Sequence, residues 1–195
     1  MVSSTNEQAL EAAIEKALTG YSKEEIKDGI SEPAGVYATQ HNGFQHGFPA
    51  DFDKQYALDL RVFWLFLEST QADELAKLKM HHANDWQRKV LERFDRLIKK
   101  HGVLHLLKKG LSVDDAYLTL MYPAPLASSS EAVKQNFTAN IFSCTRQVCY
   151  SQLNPLQEID MVLFINGIPL TADYAGAEKR MDGPNCPLPR PETIP

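Results

Sequence analysis

The sequence has little cysteine, no long apolar run, no excess of positive charge and no phosphate-binding loop. Three cysteines stand among 195 residues, Cys144, Cys149 and Cys186, and no pair has C-x-x-C spacing. That excludes a zinc ribbon and suits a reducing compartment, with the thiols as small core residues. No apolar run is long enough to cross a bilayer, and Met1 to Gly20 is polar and helical in pattern, unlike a signal peptide. A cytoplasmic chain with no membrane partner is therefore expected. The net charge of −5 argues against a stand-alone nucleic-acid binder, whose affinity would come from neutralising phosphates. It leaves room for a domain that receives DNA from neighbours. The local basic clusters, Lys99-Lys100-His101 and Lys108-Lys109, read as solvated helix faces. Without a G-x-x-x-x-G-K-[ST] run there is no ATP site, so ATP-driven DNA movement is not expected of this polypeptide. No internal repeat is visible.

What is present suits one sizeable domain with a real core. Thr5-Asn6-Glu7-Gln8 has the form of a capping box. Leu10, Ile14, Ala17 and Leu18 then recur at helical spacing, and Gly20 closes the helix. Glu7, Glu11 and Glu15 stack four apart on one face, read from the pattern as a solvated acidic face. Glu32 to Asp53 is rich in Gly, Pro, Asn and His and reads as an irregular excursion, and His41 and His46 have no partner spacing. Apolar density rises from Tyr56 through Phe63, Trp64, Phe66 and Leu67, as in a buried helix. Further helices are expected over 73–80 and 84–100, the latter with Trp86, Val90, Leu91, Phe94, Leu97 and Ile98 at helical intervals. His101 and His105 are four apart, and nothing else about them suggests metal ligation.

Alternation over 116–122 predicts a strand that stops at Pro123-Ala124-Pro125. A short helix is expected over 131–139, then a strand over 142–150. Ile159 to Ile165 is the densest strand signal, an apolar run buried on both faces and closed by the turn Asn166-Gly167-Ile168-Pro169. Asp160 sits at its mouth. A charge there is costly unless it is solvated, paired or bound to metal. Helices followed by a compact strand cluster imply a mixed α/β (α+β) core.

Several blocks, in order along residues 5–170, resemble one family. Asn140-Ile141-Phe142-Ser143, Arg146-Gln147, Tyr150-Ser151 and Asn154 match N-R-F-S-x-x-R-Q-x-x-Y-S-x-x-N. Ile159 to Pro169 then matches x-D-L-V-L-F-x-N-G-x-P. His101 to Gly110 resembles G-x-L-x-x-L-R-K-G, and Asp59 to Gln71 resembles L-x-x-F-I-x-x-T-Q. Glu7, Glu11 and Gly20-Tyr21 fit E-x-x-x-E and G-Y. These blocks are similar to the N-terminal nuclease domain of the R (motor and restriction) subunit of type I restriction-modification enzymes, a member of the PD-(D/E)xK superfamily.

The resemblance implies a restriction-endonuclease-like mixed sheet flanked by helices over 5–181, with a Pro-rich, disordered tail over 182–195. It implies Mg²⁺-dependent hydrolysis of foreign DNA inside a larger complex that also holds helicase (motor) domains and modification and specificity subunits. It assigns Asp160 to the metal and gives Glu7 or Glu11 a supporting role. The family then continues P-V-A-T-x-E-L-K, in which two acids share Mg²⁺ and the lysine assists the attacking water. Here Tyr174 stands in the place of the glutamate and Gly176 in that of the lysine. The substitutes the chain offers are Asp173, one residue early and usable only through a bulge, and Lys179, a cation that could enter from a loop. The candidate catalytic residues are thus Asp160, Asp173 and Lys179, and the candidate metal ligands Asp160, Asp173 and Glu7. Because the E-x-K is broken, the isolated chain is expected to be weakly active or inactive. The alternative is a truncated or frameshifted remnant acting at most as a docking module.

Overall fold

The computed structural model describes residues 4–27, 43–151 and 157–173, with side chains over 8–25, 43–151 and 157–170. Helix α1 (Ser4–Thr19) ends at Gly20, whose φ of 99° is open to glycine. Helix α2 (Lys23–Lys27) follows at once. Its entry is a reciprocal cap: the Ser22 amide donates to Glu25 Oε2 and the Glu25 amide to Ser22 Oγ. A short strand β1 (Phe44–His46) lies within the stretch expected to be irregular. Strands β2 (Phe52–Asp53) and β3 (Leu58–Asp59) pair antiparallel and lead into helix α3 (Leu60–Thr70). Asp59 caps α3 by accepting from the Val62 amide at 3.0 Å.

Helices α4 (Ala72–His82), α5 (Trp86–His101) and α6 (Val103–Lys109) come next. Then β4 (Leu111–Val113) and β5 (Ala116–Leu118) form a hairpin turned by Asp114 at φ 50°. Helix α7 (Glu131–Thr138) precedes the long strands β6 (Phe142–Cys149), β7 (Glu158–Ile165) and β8 (Ile168–Asp173). The main sheet has the order β1-β6-β7-β8. β1 runs parallel to β6, and the other neighbours are antiparallel. The fold is therefore a mixed sheet flanked by helices, the α/β class expected.

The larger core joins α3, α4, α5, α6 and the β4–β5 hairpin to the sheet end at Ile165 and Ile168. Phe63 packs edge-on against Phe94, and Trp64 against Trp86. Each fully buried large side chain here contributes roughly 1.5–3 kcal/mol. Phe63 is fully buried as expected, whereas Trp64 is half-buried and packs from the side. Val162 and Phe164 belong to a smaller cluster with Val148 and Ile159 on the sheet.

The strand expected over 116–122 stops at Leu118 for a physical reason. The Gln71 side chain donates to the Thr119 carbonyl at 2.8 Å and accepts from the Thr119 amide. One side-chain amide replaces the next strand partner. A second device locks the sheet end. Asn166 accepts from the Ile141 amide and donates to the Leu120 carbonyl and to Asn140 Oδ1, while Asn140 holds both backbone groups of Tyr122. Beside it Gly167, at φ 78°, accepts from the Asp59 amide, and a Cβ there would fall 2.4 Å from the Asp59 carbonyl oxygen. The N-G of the turn is thus required by close packing on α3 as well as by the bend.

Candidate functional site

Strand β6 presents Phe142, Cys144 and Arg146 to one face of the sheet by simple alternation. Helix α1 lies against that face, so the arginine meets a helix surface instead of water. On α1 the residues that meet it are Glu11 and Glu15, four positions apart on one side, and Thr19 continues that side towards His46. The expected apolar row is only partly covered: Ile14 and Leu18 are half-buried, and Leu10 and Ala17 are exposed. Leu10 is 58% exposed, and Glu15 is 1% exposed. The acidic face, read from the pattern as solvated, is the buried one. The reason is electrostatic: a buried guanidinium requires carboxylates, and α1 supplies them at the right spacing.

Arg146 is 2% exposed and engages three glutamates. Its Nε donates to Glu11 Oε2 at 3.1 Å. Its Nη1 donates to Glu15 Oε2 at 3.0 Å and to both carboxylate oxygens of Glu24 at 3.0 Å. The planar fork of arginine suits this many-sided grip, which a lysine could not reproduce. Glu15 Oε2 also accepts from the Lys23 amide at 2.9 Å, tying the first residue of α2 to the cluster. Glu15 Oε1 lies 3.3 Å from His46 Nδ1, within ion-pair reach. The other ring nitrogen of His46 is 2.8 Å from Thr19 Oγ1 and 2.9 Å from the Tyr21 carbonyl. The Tyr21 ring stacks on the imidazole at 4.7 Å.

The two inner glutamates are pushed in opposite directions. Burial raises the Glu11 carboxyl above its ordinary value; Arg146 pulls it down, but the charges of Asp160 and Glu24 add to the rise. For Glu15, burial also acts upward, but His46, the Lys23 amide and Arg146 outweigh it and hold the carboxyl below the ordinary value. Burial pushes the Cys144 thiol up to about 12, so it is a packing residue and not a nucleophile.

Asp160 lies half-buried on β7, beside Met161, which is the cross-strand partner of Arg146. It is close enough for its charge to act on Glu11. Of the acids singled out in the sequence, Asp160 and Glu11 are thus within range of each other's charge. Asp173 ends β8, and its backbone pairs with Met161, one position from Asp160. A slip between Leu163 and Phe164 sets this register. The side chains of Asp173 and Glu7 lie outside the described residues. So do Tyr174, Gly176, Glu178, Lys179 and the tail 182–195. Among the described residues, no three His, Cys, Asp or Glu side chains are placed to hold a metal ion. His101 and His105 stack at 4.8 Å on the surface, away from any such group.

Sequence reasoning did not single out Arg146 beyond its place in a motif, and it missed Glu15, Glu24 and His46 as members of one site. A signal existed for the two glutamates: glutamates at four-residue spacing, then Ser22-Lys23-Glu24-Glu25, a capping box that places Glu24 one turn away. None existed for His46, which β1 carries in from a glycine- and proline-rich stretch.

A family model described as type I restriction enzyme R protein N terminus matches residues 4–172. No curated protein and no solved structure matches the chain.

Proposed function

The chain belongs to the type I restriction enzyme R protein N-terminus family, and from that premise we propose that it is a DNA-directed nuclease-type module of a restriction complex whose own metal-dependent cleavage is weak or absent. Its partners are duplex DNA and, by family, the motor domains and the modification and specificity subunits. The observation that carries the reading is the state of the acids near Asp160. Glu11, its described acidic neighbour, is held by Arg146, and Glu15 and Glu24 are held by the same guanidinium. The described side chains therefore do not make a magnesium site. An ion that prefers octahedral oxygen coordination would find one half-buried carboxylate there and glutamates already engaged by a cation.

The Arg146 cluster has a definite role in this reading. It fixes α1 and α2 to the sheet beside β7, and so sets the position of Asp160 relative to Glu11. It contributes position, not chemistry. A docking module that keeps the fold without cleavage is favoured by the same observation, since the glutamates serve the arginine.

The test is a plasmid-nicking assay with Mg²⁺ on the purified chain, with metal binding followed by calorimetry. Little or no nicking is expected from the chain as it stands. Tyr174→Glu combined with Gly176→Lys is expected to create metal binding and nicking, and adding Asp160→Asn is expected to abolish both. Loss of a single charge-stabilising donor typically costs about 10²–10³ in rate, so restoring one gives a readable gain. Robust nicking by the unaltered chain would overturn the proposal, as would a folded double variant that binds no metal.

A further inference from the structure

Helix α5 divides its charged surface into two rows of identical spacing. Arg88, Glu92, Asp95 and Lys99 make one row, and it neutralises itself: Arg88 donates to Glu92 at 2.8 Å, and Lys99 pairs with Asp95 at 2.8 Å. One residue further round, Lys89, Arg93, Arg96 and Lys100 make a second row with the same steps of four, three and four. This row contains cations only. Among the described residues none of the four lies within ion-pair distance of a carboxylate, although Asp114 is near enough to Lys89 to feel its charge. Lys89, Arg96 and Lys100 are exposed, and Arg93 is steadied by donating to the Ser112 carbonyl at 3.2 Å. The chain as a whole carries −5, so the row is a local inversion of its charge.

Trp86, Val90, Leu91 and Phe94 anchor α5 in the main core, so the row flanking that side is held straight on a rigid support. It spans roughly 16 Å at the helical rise. A duplex presents one phosphate charge per about 1.7 Å of axis, so the row can lie along several phosphates. No exposed large apolar or aromatic side chain stands on α5. A membrane surface would need the former and a single strand would need the latter for stacking.

We infer that the row Lys89–Arg93–Arg96–Lys100 is the face of this chain that lies along the phosphate backbone of duplex DNA. The inference rests on the DNA-directed reading above and adds the surface through which the duplex is met. It also explains how an acidic chain engages DNA: weakly overall, through one face.

The experiment measures anisotropy of a labelled short duplex titrated with the full chain at low salt in EDTA, so that cleavage plays no part. The row variant is Lys89→Ala, Arg96→Ala and Lys100→Ala. The control is Arg88→Ala, Lys99→Ala and Lys134→Ala, which removes the same number of cations from pairs with acids. Circular dichroism confirms that both are folded. The row variant is expected to lose at least about tenfold in affinity, and its slope of log affinity against log salt to shrink by about 0.9 for each phosphate contact removed. The control is expected to change far less. Equal losses in both variants, or no duplex binding by the parent chain, would overturn the inference. Competition by polyglutamate as strong as by DNA would overturn it too, by assigning the row to an acidic protein. Robust metal-dependent nicking would sink the reading of the site while leaving this result intact.

Discussion

Helices α1 and α5 have the same length and opposite plans. α5 buries Trp86, Val90 and Phe94 and keeps its charges outside, while α1 buries Glu15 and leaves Leu10 in water. The first is held by apolar burial, which is indifferent to which apolar neighbour provides it. The second is held by a grip between one arginine and three glutamates, which works only if Arg146 of β6 arrives at the right place. Burying an ion pair is not in itself strongly stabilising. Breaking one is costly, because the remaining charge stays buried. The α1 arrangement therefore favours one docking geometry over others more than it adds to stability.

The largest expected effects separate the two plans by their response to pH. Arg146→Ala leaves Glu15 buried without its guanidinium, held only by the Lys23 amide and His46, and a loss of about 3–5 kcal/mol is expected by denaturant unfolding at neutral pH. Phe94→Ala opens a cavity in the other core, with a similar loss of about 3–5 kcal/mol. Glu15 has a folded value below its ordinary one, so its contribution is present above the unfolded glutamate range and fades as the pH falls through the folded value. The deficit of Arg146→Ala should therefore shrink in acid, whereas that of Phe94→Ala should not. Equal pH profiles for the two variants would show that the cluster is not electrostatic in origin.

A second test compares Glu15 with Asp59, a buried carboxyl that makes no ion pair among the described residues. Asp59 Oδ1 caps α3, but among the described residues the buried Oδ2 has no hydrogen-bond partner, and burial, with Asp51 adding, raises its pKa from 3.8 to about 6. The sign is opposite to that of Glu15. A raised carboxyl favours the fold below its unfolded value, and that advantage is lost as the pH rises through the folded one. Asp59→Asn keeps the cap and removes the titration. At neutral pH it should stabilise the protein by on the order of 1–3 kcal/mol, with the gain vanishing between about pH 6 and pH 4. A destabilised Asn variant at neutral pH would refute this.

The smallest effect sharpens the contrast from the other side. Leu10 is apolar, at helical spacing and on α1, yet exposed. Leu10→Ser should change stability by less than about 0.5 kcal/mol in thermal unfolding. A loss of the size expected for Phe94 would mean that the apolar row of α1 is covered after all.

These contrasts bear on what could be read in advance. The long helices α3, α4 and α5 and the strands β6 and β7 were legible because each repeats one apolar period long enough to be unambiguous. Most short elements were not: β1, β4 and α6 carry too little pattern in their own residues, whereas β5 falls inside the strand expected over 116–122. The acids Asp160 and Glu11 were legible as candidates, and their neighbourhood with Arg146 was not.

By itself the sequence determined the class of fold, the family blocks and the buried strand run of β7. Those depend on residue type and local spacing, which the chain carries wherever it goes. Only the tertiary structure decided that the acidic side of α1 turns inward, that His46 joins Glu15, and that Arg146 holds Glu11, Glu15 and Glu24. An amphipathic helix has two sides, and its own sequence ranks them by hydrophobicity. A buried arginine more than a hundred residues away reverses the ranking, because leaving that charge unpaired would cost more than exposing a leucine.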